Sequence, residues 1–260
     1  YLRAINHFLF HSKHKEHSGY ADIVGYLSEY NYRSPRIIAG LKRYFDYLVE
    51  TGRRDDHPCK GFTIRKQRRD IQFQELFTGE ELELLLDRPV RYKLLEDRNK
   101  VILSLLVYQG LSPQNISNVT TDDVDIDRGT IYIKATKKLK RRELELKPKQ
   151  VILLYRYMNE FRRKLNVYGS KKLFIGKRGE DFKVDSLNRM IRPLQSLFPH
   201  KNLNPQTIRQ SVITNWLNEK NIPLEDVQLL SGQKWMSSTE RYIKPNMDER
   251  REVINTFFPL

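Results

Sequence analysis

Three short stretches of this chain carry side chains that could act on a phosphate. In SSTERYIKP, Ser237 to Pro245, Ser237 can cap a helix and Glu240 can close a capping box back onto it. Tyr242 then falls about one turn into a short basic helix that Lys244 and Pro245 end. A phenol placed there is either a packing group or a nucleophile. In NPQTIRQSV, Asn204 is an N-cap with Pro205 at the first helical position, and Gln206, Arg209 and Gln210 share one face. A guanidinium near a helix N-terminus, where free N–H groups also point, suits a phosphate. A plain surface arginine would read the same way. In KATKKLKRR, residues 134–142, six of nine residues are Lys or Arg. That run is either a solvated hairpin or a tip laid against phosphates. Two flanking strands would hold Lys137 rigidly, as a lysine acting at one atom requires.

The elements that must position these groups can be read from the pattern. Residues 1–64 read as helical, with YLRAINHFLF and RIIAGLKRYFDYLVETG apolar at three- and four-residue spacing. Gly52 and Pro58 stop the second of these. TIRKQRRDIQFQE is polar, basic and aperiodic, a linker. TGEELELLLDRP reads as a capped helix and NKVILSLLVYQG as a buried one that ends at Gly110; Ser112 and Pro113 restart a helix in SPQNISNV. VDIDRGTIYIKAT and RRELELK alternate as strands around turns at Asp127–Gly129 and Lys137–Lys140. PKQVILLYRYMNEFRRKL is a long amphipathic helix, KLFIG a short strand, and VDSLNRMIRPLQSLF, NPQTIRQSVITNWLNEKN and PLEDVQLLSGQ are helices. The expected fold is mainly α with a small antiparallel β-sheet, in two domains at 1–72 and 73–260.

Composition narrows the partners. The net charge is +15, with 47 Lys and Arg against 32 Asp and Glu. Such a surface favours a polyanion, nucleic acid first. Both parts are basic: residues 1–72 hold 14 Lys and Arg against 8 acids, and the remainder 33 against 24. That distribution suits two domains gripping one duplex better than a basic tail on a neutral body. An anionic membrane surface would need a separate basic amphipathic helix, and none stands apart from a plausible core. There is no run of eighteen apolar residues and no secretory signal, so no membrane partner is expected. Cys59 is the one cysteine, which excludes a disulfide framework and a cysteine-built zinc site and points to the cytoplasm or nucleoid. Tyr1 is not a natural start, so the chain is expected to be trimmed from something longer. His7, His11, His14 and His17 are spaced to line one side of a helix. No carboxylate or cysteine completes a shell there, so a polar helix face is expected and no metal.

The order of these parts resembles the tyrosine recombinases, the phage-integrase family. The resemblance covers nearly the whole chain: FDYLVETGRRDDHPCKG and a basic linker, then YQGLSPQNI, the lysine hairpin, PQTIRQ, LLSGQ, and Tyr242 nine residues after Gln233. It implies a helical core-binding domain followed by a catalytic domain. It also implies transesterification, in which tyrosine attacks a DNA phosphate and leaves a 3′-phosphotyrosyl link and a free 5′-hydroxyl. Two arginines neutralise the phosphate and a hairpin lysine protonates the leaving oxygen; no cofactor or metal is required. By this resemblance Tyr242 matches the nucleophile, Arg209 the second arginine, and Lys137 the hairpin lysine, with Lys138 or Lys140 as alternatives. Ser112 stands where the first arginine belongs, and Gln206 and Gln233 replace two histidines. Glutamine can donate a hydrogen bond but cannot transfer a proton at neutral pH. An active but atypical recombinase, with a neighbouring Lys or Arg supplying the missing charge, and a catalytically degenerate DNA-binding regulator, partner subunit or architectural factor both follow. A type IB topoisomerase shares the chemistry, but the N-terminal part looks like the recombinase clamp.

The expected partner is double-stranded DNA. Phosphate contacts are assigned to Lys138, Lys140, Arg141 and Arg142 on the hairpin, to Arg65, Lys66, Arg68 and Arg69 in the linker, and to Arg36, Lys42 and Arg43 on the second helix. The C-terminal Val253, Ile254, Phe257 and Phe258 either pack on their own domain or, as the resemblance implies, dock into a neighbouring protomer of a homo-oligomer, dimer to tetramer, on DNA.

Overall fold

The computed structural model describes residues 1–29, 35–63, 71–87 and 95–244. The linker cations Arg65, Lys66, Arg68 and Arg69, and the apolar tail from Val253 to Phe258, lie outside the described residues. The chain divides into two compact units, Tyr1–Asp70 and Ile71–Leu260.

In the first unit, α1 (Leu2–His11), α2 (Tyr20–Glu29) and α3 (Pro35–Glu50) turn their apolar stripes inward. Phe8, Ile23, Tyr26, Leu41, Phe45 and Leu48 meet in one core, closed by Cys59. Burial pushes the Cys59 thiol up to about 11, so it behaves as a packing group. The four histidines do not share one helix face. His7 and His11 meet on α1 with ring centroids 4.3 Å apart and their planes tilted by 34°. His14 and His17 lie beyond its end, in a separate short turn, where His14 sits 3.1 Å from Asp22. Ser12 breaks α1 by going extended, which interrupts the spacing that the sequence suggested.

The second unit is built around two buried helices. A capping box of Thr78 and Glu81 starts α4 (Gly79–Glu83). α5 (Glu96–Tyr108) buries Val101, Ile102, Leu103, Leu105 and Leu106. Each such side chain contributes about 1.5–3 kcal/mol when fully removed from water. Gly110 then turns the chain with φ +56, and Ser112 caps α6 (Pro113–Asn118). A three-stranded antiparallel sheet follows, β1 (Val124–Asp125), β2 (Thr130–Ile133) and β3 (Arg142–Glu145), in that order. Ile131 pairs with Leu144 and Ile133 with Arg142. Ile131, Ile133, Arg142 and Leu144 are buried, so the inner face is fixed by the two-residue period.

α7 (Pro148–Arg156) packs on α5 and continues through a wider turn, Tyr157–Arg162, into α8 (Arg163–Leu165). KLFIG is extended but forms no ladder. Lys172 and Ile175 make isolated bridges, and the buried guanidinium of Arg162 takes the carbonyls of Ser170 and Lys172 instead of a neighbouring strand. α9 (Val184–Ile191), α10 (Pro205–Asn218), α11 (Leu224–Ser231) and α12 (Met236–Glu240) follow among the described residues of the unit. α10 packs on α5 and α11, and buries Ile208, Arg209, Val212, Ile213 and Trp216. No described helix is long and apolar enough to cross a membrane. The architecture is mainly helical with one small antiparallel sheet, as expected.

Candidate active site

The site gathers at the C-terminal end of α11, in the segment LLSGQ. Each successive residue there holds one part. The carbonyl of Leu230 accepts from Nε of Arg142 at 2.8 Å, and the carbonyl of Ser231 accepts from Nη2 of Arg209 at 2.7 Å. The carbonyl of Gly232 accepts from the backbone N–H of Lys140 at 2.7 Å, and Gln233 bridges Leu139. The side-chain oxygen of Gln233 accepts from the Thr239 hydroxyl at 2.7 Å, and Gln233 also hydrogen-bonds to the Tyr242 phenol. Free carbonyls at a helix C-terminus carry partial negative charge, so cations gather there.

Arg209 is placed by α10, whose N-cap Asn204 accepts from the backbone N–H groups of Gln206 and Thr207, both at 3.0 Å. The arginine is buried rather than on the surface, and its Nη1 donates to the carbonyl of Gly110. Burial lowers its pKa to about 10, and the nearby Tyr242 opposes that shift. Tyr242 is 8% exposed. Burial raises its pKa, while Arg209, Arg241 and the Gln233 hydrogen bond act to lower it. Its carbonyl accepts from Asn218 Nδ2 at 2.8 Å, which clamps the tyrosine backbone to the last turn of α10.

The local structure around Tyr242 differs from the sequence expectation. α12 begins at Met236 with Trp235 as its N-cap, and no side-chain cap forms. Ser237 lies inside the helix, and Tyr242 follows its end in a turn. The reason is tertiary. Thr239 is fully buried with its hydroxyl on Gln233, and this sets the register of the short helix.

Ser112 accepts from the backbone N–H of Asn115 at 3.2 Å and donates to the Asn115 side chain at 2.7 Å. It is thus a helix cap two residues beyond the Gly110 carbonyl that holds Arg209. Ser112→Arg is expected to lower the urea unfolding midpoint by an amount equivalent to about 1 kcal/mol, through loss of the cap. An unchanged midpoint would show that the box contributes nothing. Gln206 is exposed on the first turn of α10, and Lys137 is exposed at the hairpin tip; neither belongs to the buried cluster.

The family model described as phage integrase family matches residues 75–249, which contain every part of this site. The chain belongs to the phage integrase family. Relatives are distant but long. A tyrosine recombinase of Pseudothermotoga lettingae is 26% identical over 223 residues, spanning 85% of this chain and 73% of its own. Tyrosine recombinase XerD of Listeria monocytogenes is 25% identical over 248 residues, spanning 92% and 82%. In fold, the chain is similar to the XerH site-specific recombinase bound to its difH substrate, with TM-score 0.68 at 19% identity over 94% of this chain and 72% of that one. It is also similar to the Tn1549 transposon integrase in complex with a circular-intermediate DNA, with TM-score 0.61 at 14% identity, covering 98% and 91%.

Within this integrase-family site, one residue stands in an environment that the sequence reading did not expect. Arg142 is not a surface cation of the hairpin but is buried, 5% exposed, on the inner face of β3. Alternation in RRELELK places Arg142 in phase with the buried Leu144 and Leu146, a signal that outranks the basic run around it. Lys138, Lys140 and Arg141 are exposed as expected. In the first unit Arg36 and Arg43 are exposed, and Lys42 is half-buried with its Nζ 3.4 Å from the Lys60 carbonyl. Thr239 and Asn218 were missed altogether. Neither has a marker in the sequence, because each acts on a residue of another segment.

Proposed function

We propose that this protein is a site-specific DNA recombinase that cleaves and rejoins duplex DNA through Tyr242. The observation that carries the reading is the buried Tyr242 phenol, hydrogen-bonded to Gln233 and close enough to Arg209 for each to shift the other's pKa. In cleavage, the Tyr242 oxygen bonds to a backbone phosphorus and the bond from phosphorus to the 5′-oxygen breaks. The phenol proton passes to solvent water and the 5′-oxygen gains a proton, with Lys137 as the donor assigned by family resemblance. The reverse attack by a 5′-hydroxyl rejoins the strand. Arg209 offers its fixed guanidinium where negative charge grows. Burial raises the Tyr242 pKa, and the positive charge of Arg209 acts the other way, favouring the ionised form that attacks.

The partners in this reading are double-stranded DNA and further copies of the same chain, dimer to tetramer, assembled on it in the cytoplasm or on the nucleoid. The test is a nicked suicide duplex carrying a cognate site. A denaturation-resistant protein–DNA band joined at a 3′ end supports the reading. No adduct on a site that the protein demonstrably binds would sink it.

A second reading has its own support. Ser112, in the position where the resemblance expects a cation, is engaged as a helix cap. That favours a relative that binds DNA without cutting it. Both readings require the protein to neutralise phosphates. Charge reversal at Lys138, Lys140 and Arg141 together is expected to weaken binding to duplexes of any sequence, and to lower the salt slope by roughly one for every phosphate no longer neutralised. A changed sequence preference with unchanged general affinity would instead make the hairpin a base reader.

A further inference from the structure

We infer that Arg142 is a second phosphate-binding guanidinium of this site and supplies from β3 the cation that Ser112 lacks. The inference rests on the recombinase reading and deepens it.

Four observations converge. Arg142 and Arg209 are anchored on adjacent carbonyls, those of Leu230 and Ser231, so two guanidinium groups are held side by side at the end of α11. Only Nε of Arg142 has a partner; Nη1 and Nη2 are buried and unpartnered. Neither arginine forms an ion pair with a carboxylate among the described residues, although Arg54, Lys100, Arg156 and Lys201 all do. Finally, the backbone makes room for the group. Gly232 has φ +70, and a Cβ there would lie 2.2 Å from Nη1 of Arg142. Glycine at this position therefore serves both the left-handed cap of α11 and the seat of the guanidinium.

An unpaired buried charge is costly, and two of like sign close together are more so. Burial first, and then the charge of Arg209, bring the Arg142 pKa down to about 9. A bound anion offsets both effects by favouring the charged form. The free Nη1/Nη2 edge of a planar guanidinium fits two phosphate oxygens. A phosphodiester between Arg142 and Arg209 would meet donors from both arginines, and Tyr242, coupled to Arg209, would lie at the same phosphorus. Arg142 forms no covalent bond in this step; it offsets charge on the non-bridging oxygens.

The competing role is a strut that does no more than tie β3 to the Leu230 carbonyl. Two measurements separate them. The first is thermal unfolding of the whole chain with and without inorganic phosphate, for wild type, Arg142→Met, Gly232→Ala and the exposed control Arg163→Met. Phosphate is expected to raise the wild-type and Arg163→Met melting temperatures. Most of that increment should vanish in Arg142→Met, which removes the group, and in Gly232→Ala, which displaces it. In phosphate-free buffer Arg142→Met should melt no lower than wild type, since a buried unpaired charge has gone. An increment that persists in Arg142→Met, or is absent from wild type, overturns the inference.

The second measurement is adduct formation on the suicide duplex. Arg142→Met is expected to slow it on the order of 10²–10³-fold, with partial recovery in Arg142→Lys. Wild-type adduct formation matched by Arg142→Met overturns the assignment. A phosphate increment that depends on Arg142, with no adduct even in wild type, keeps the guanidinium pair and rejects cleavage.

Discussion

Tyr242→Phe is expected to leave duplex binding within about twofold of wild type and to abolish the covalent protein–DNA band completely. Phenylalanine keeps the ring that packs into the main core, where Tyr242 is 8% exposed. It removes only the hydroxyl and its hydrogen bond with Gln233, a change worth about 0.5–1.5 kcal/mol of stability. The Asn218 clamp acts on the backbone carbonyl at position 242 and survives the substitution. Binding and folding therefore persist, while Thr239 of α12 is fully buried and its hydroxyl already donates to Gln233. A gel of denatured suicide-substrate reactions reads the outcome directly. Adduct surviving in Tyr242→Phe would place the nucleophile elsewhere. Loss of adduct together with loss of binding and a collapsed melting curve would mark Tyr242 as a packing residue.

Arg209→Lys should be nearly as damaging, although it conserves charge. The wild-type guanidinium spans two carbonyls, Gly110 after α5 and Ser231 at the end of α11, and so staples two segments while facing Tyr242. A lysine ammonium is a single point and cannot hold both carbonyls while presenting a flat edge to a phosphate. Each lost hydrogen bond to a charged group costs about 1.5–3 kcal/mol, and the loss of one preorganised donor slows chemistry on the order of 10²–10³-fold. The prediction is a lower melting temperature together with slower adduct formation. Near wild-type cleavage by Arg209→Lys would show that charge alone suffices at this position and that the fork geometry is incidental.

What the sequence determined by itself was whatever local chemistry decides. The Thr78–Glu81 box, the Ser112 and Asn204 caps, and the proline that follows each of these last two start helices where side-chain acceptors can reach orphan N–H groups. Alternation around Gly129 marked the antiparallel strands, and apolar residues on every side of α5 marked a buried helix. Charge and the order of the parts were enough to raise the family resemblance. Tertiary structure decided what depends on segments far apart in the chain. Tyr242 is held through its carbonyl by Asn218, 24 positions earlier, and KLFIG forms no ladder because the Arg162 guanidinium occupies carbonyls beside it. Arg142 is the sharpest case. Its two-residue phase with Leu144 and Leu146 pointed inward, but the end of α11 that receives it comes 88 positions later. A strand pattern specifies which way a side chain faces; only the packed chain specifies that it faces a second arginine and a glycine whose missing side chain leaves the space it fills.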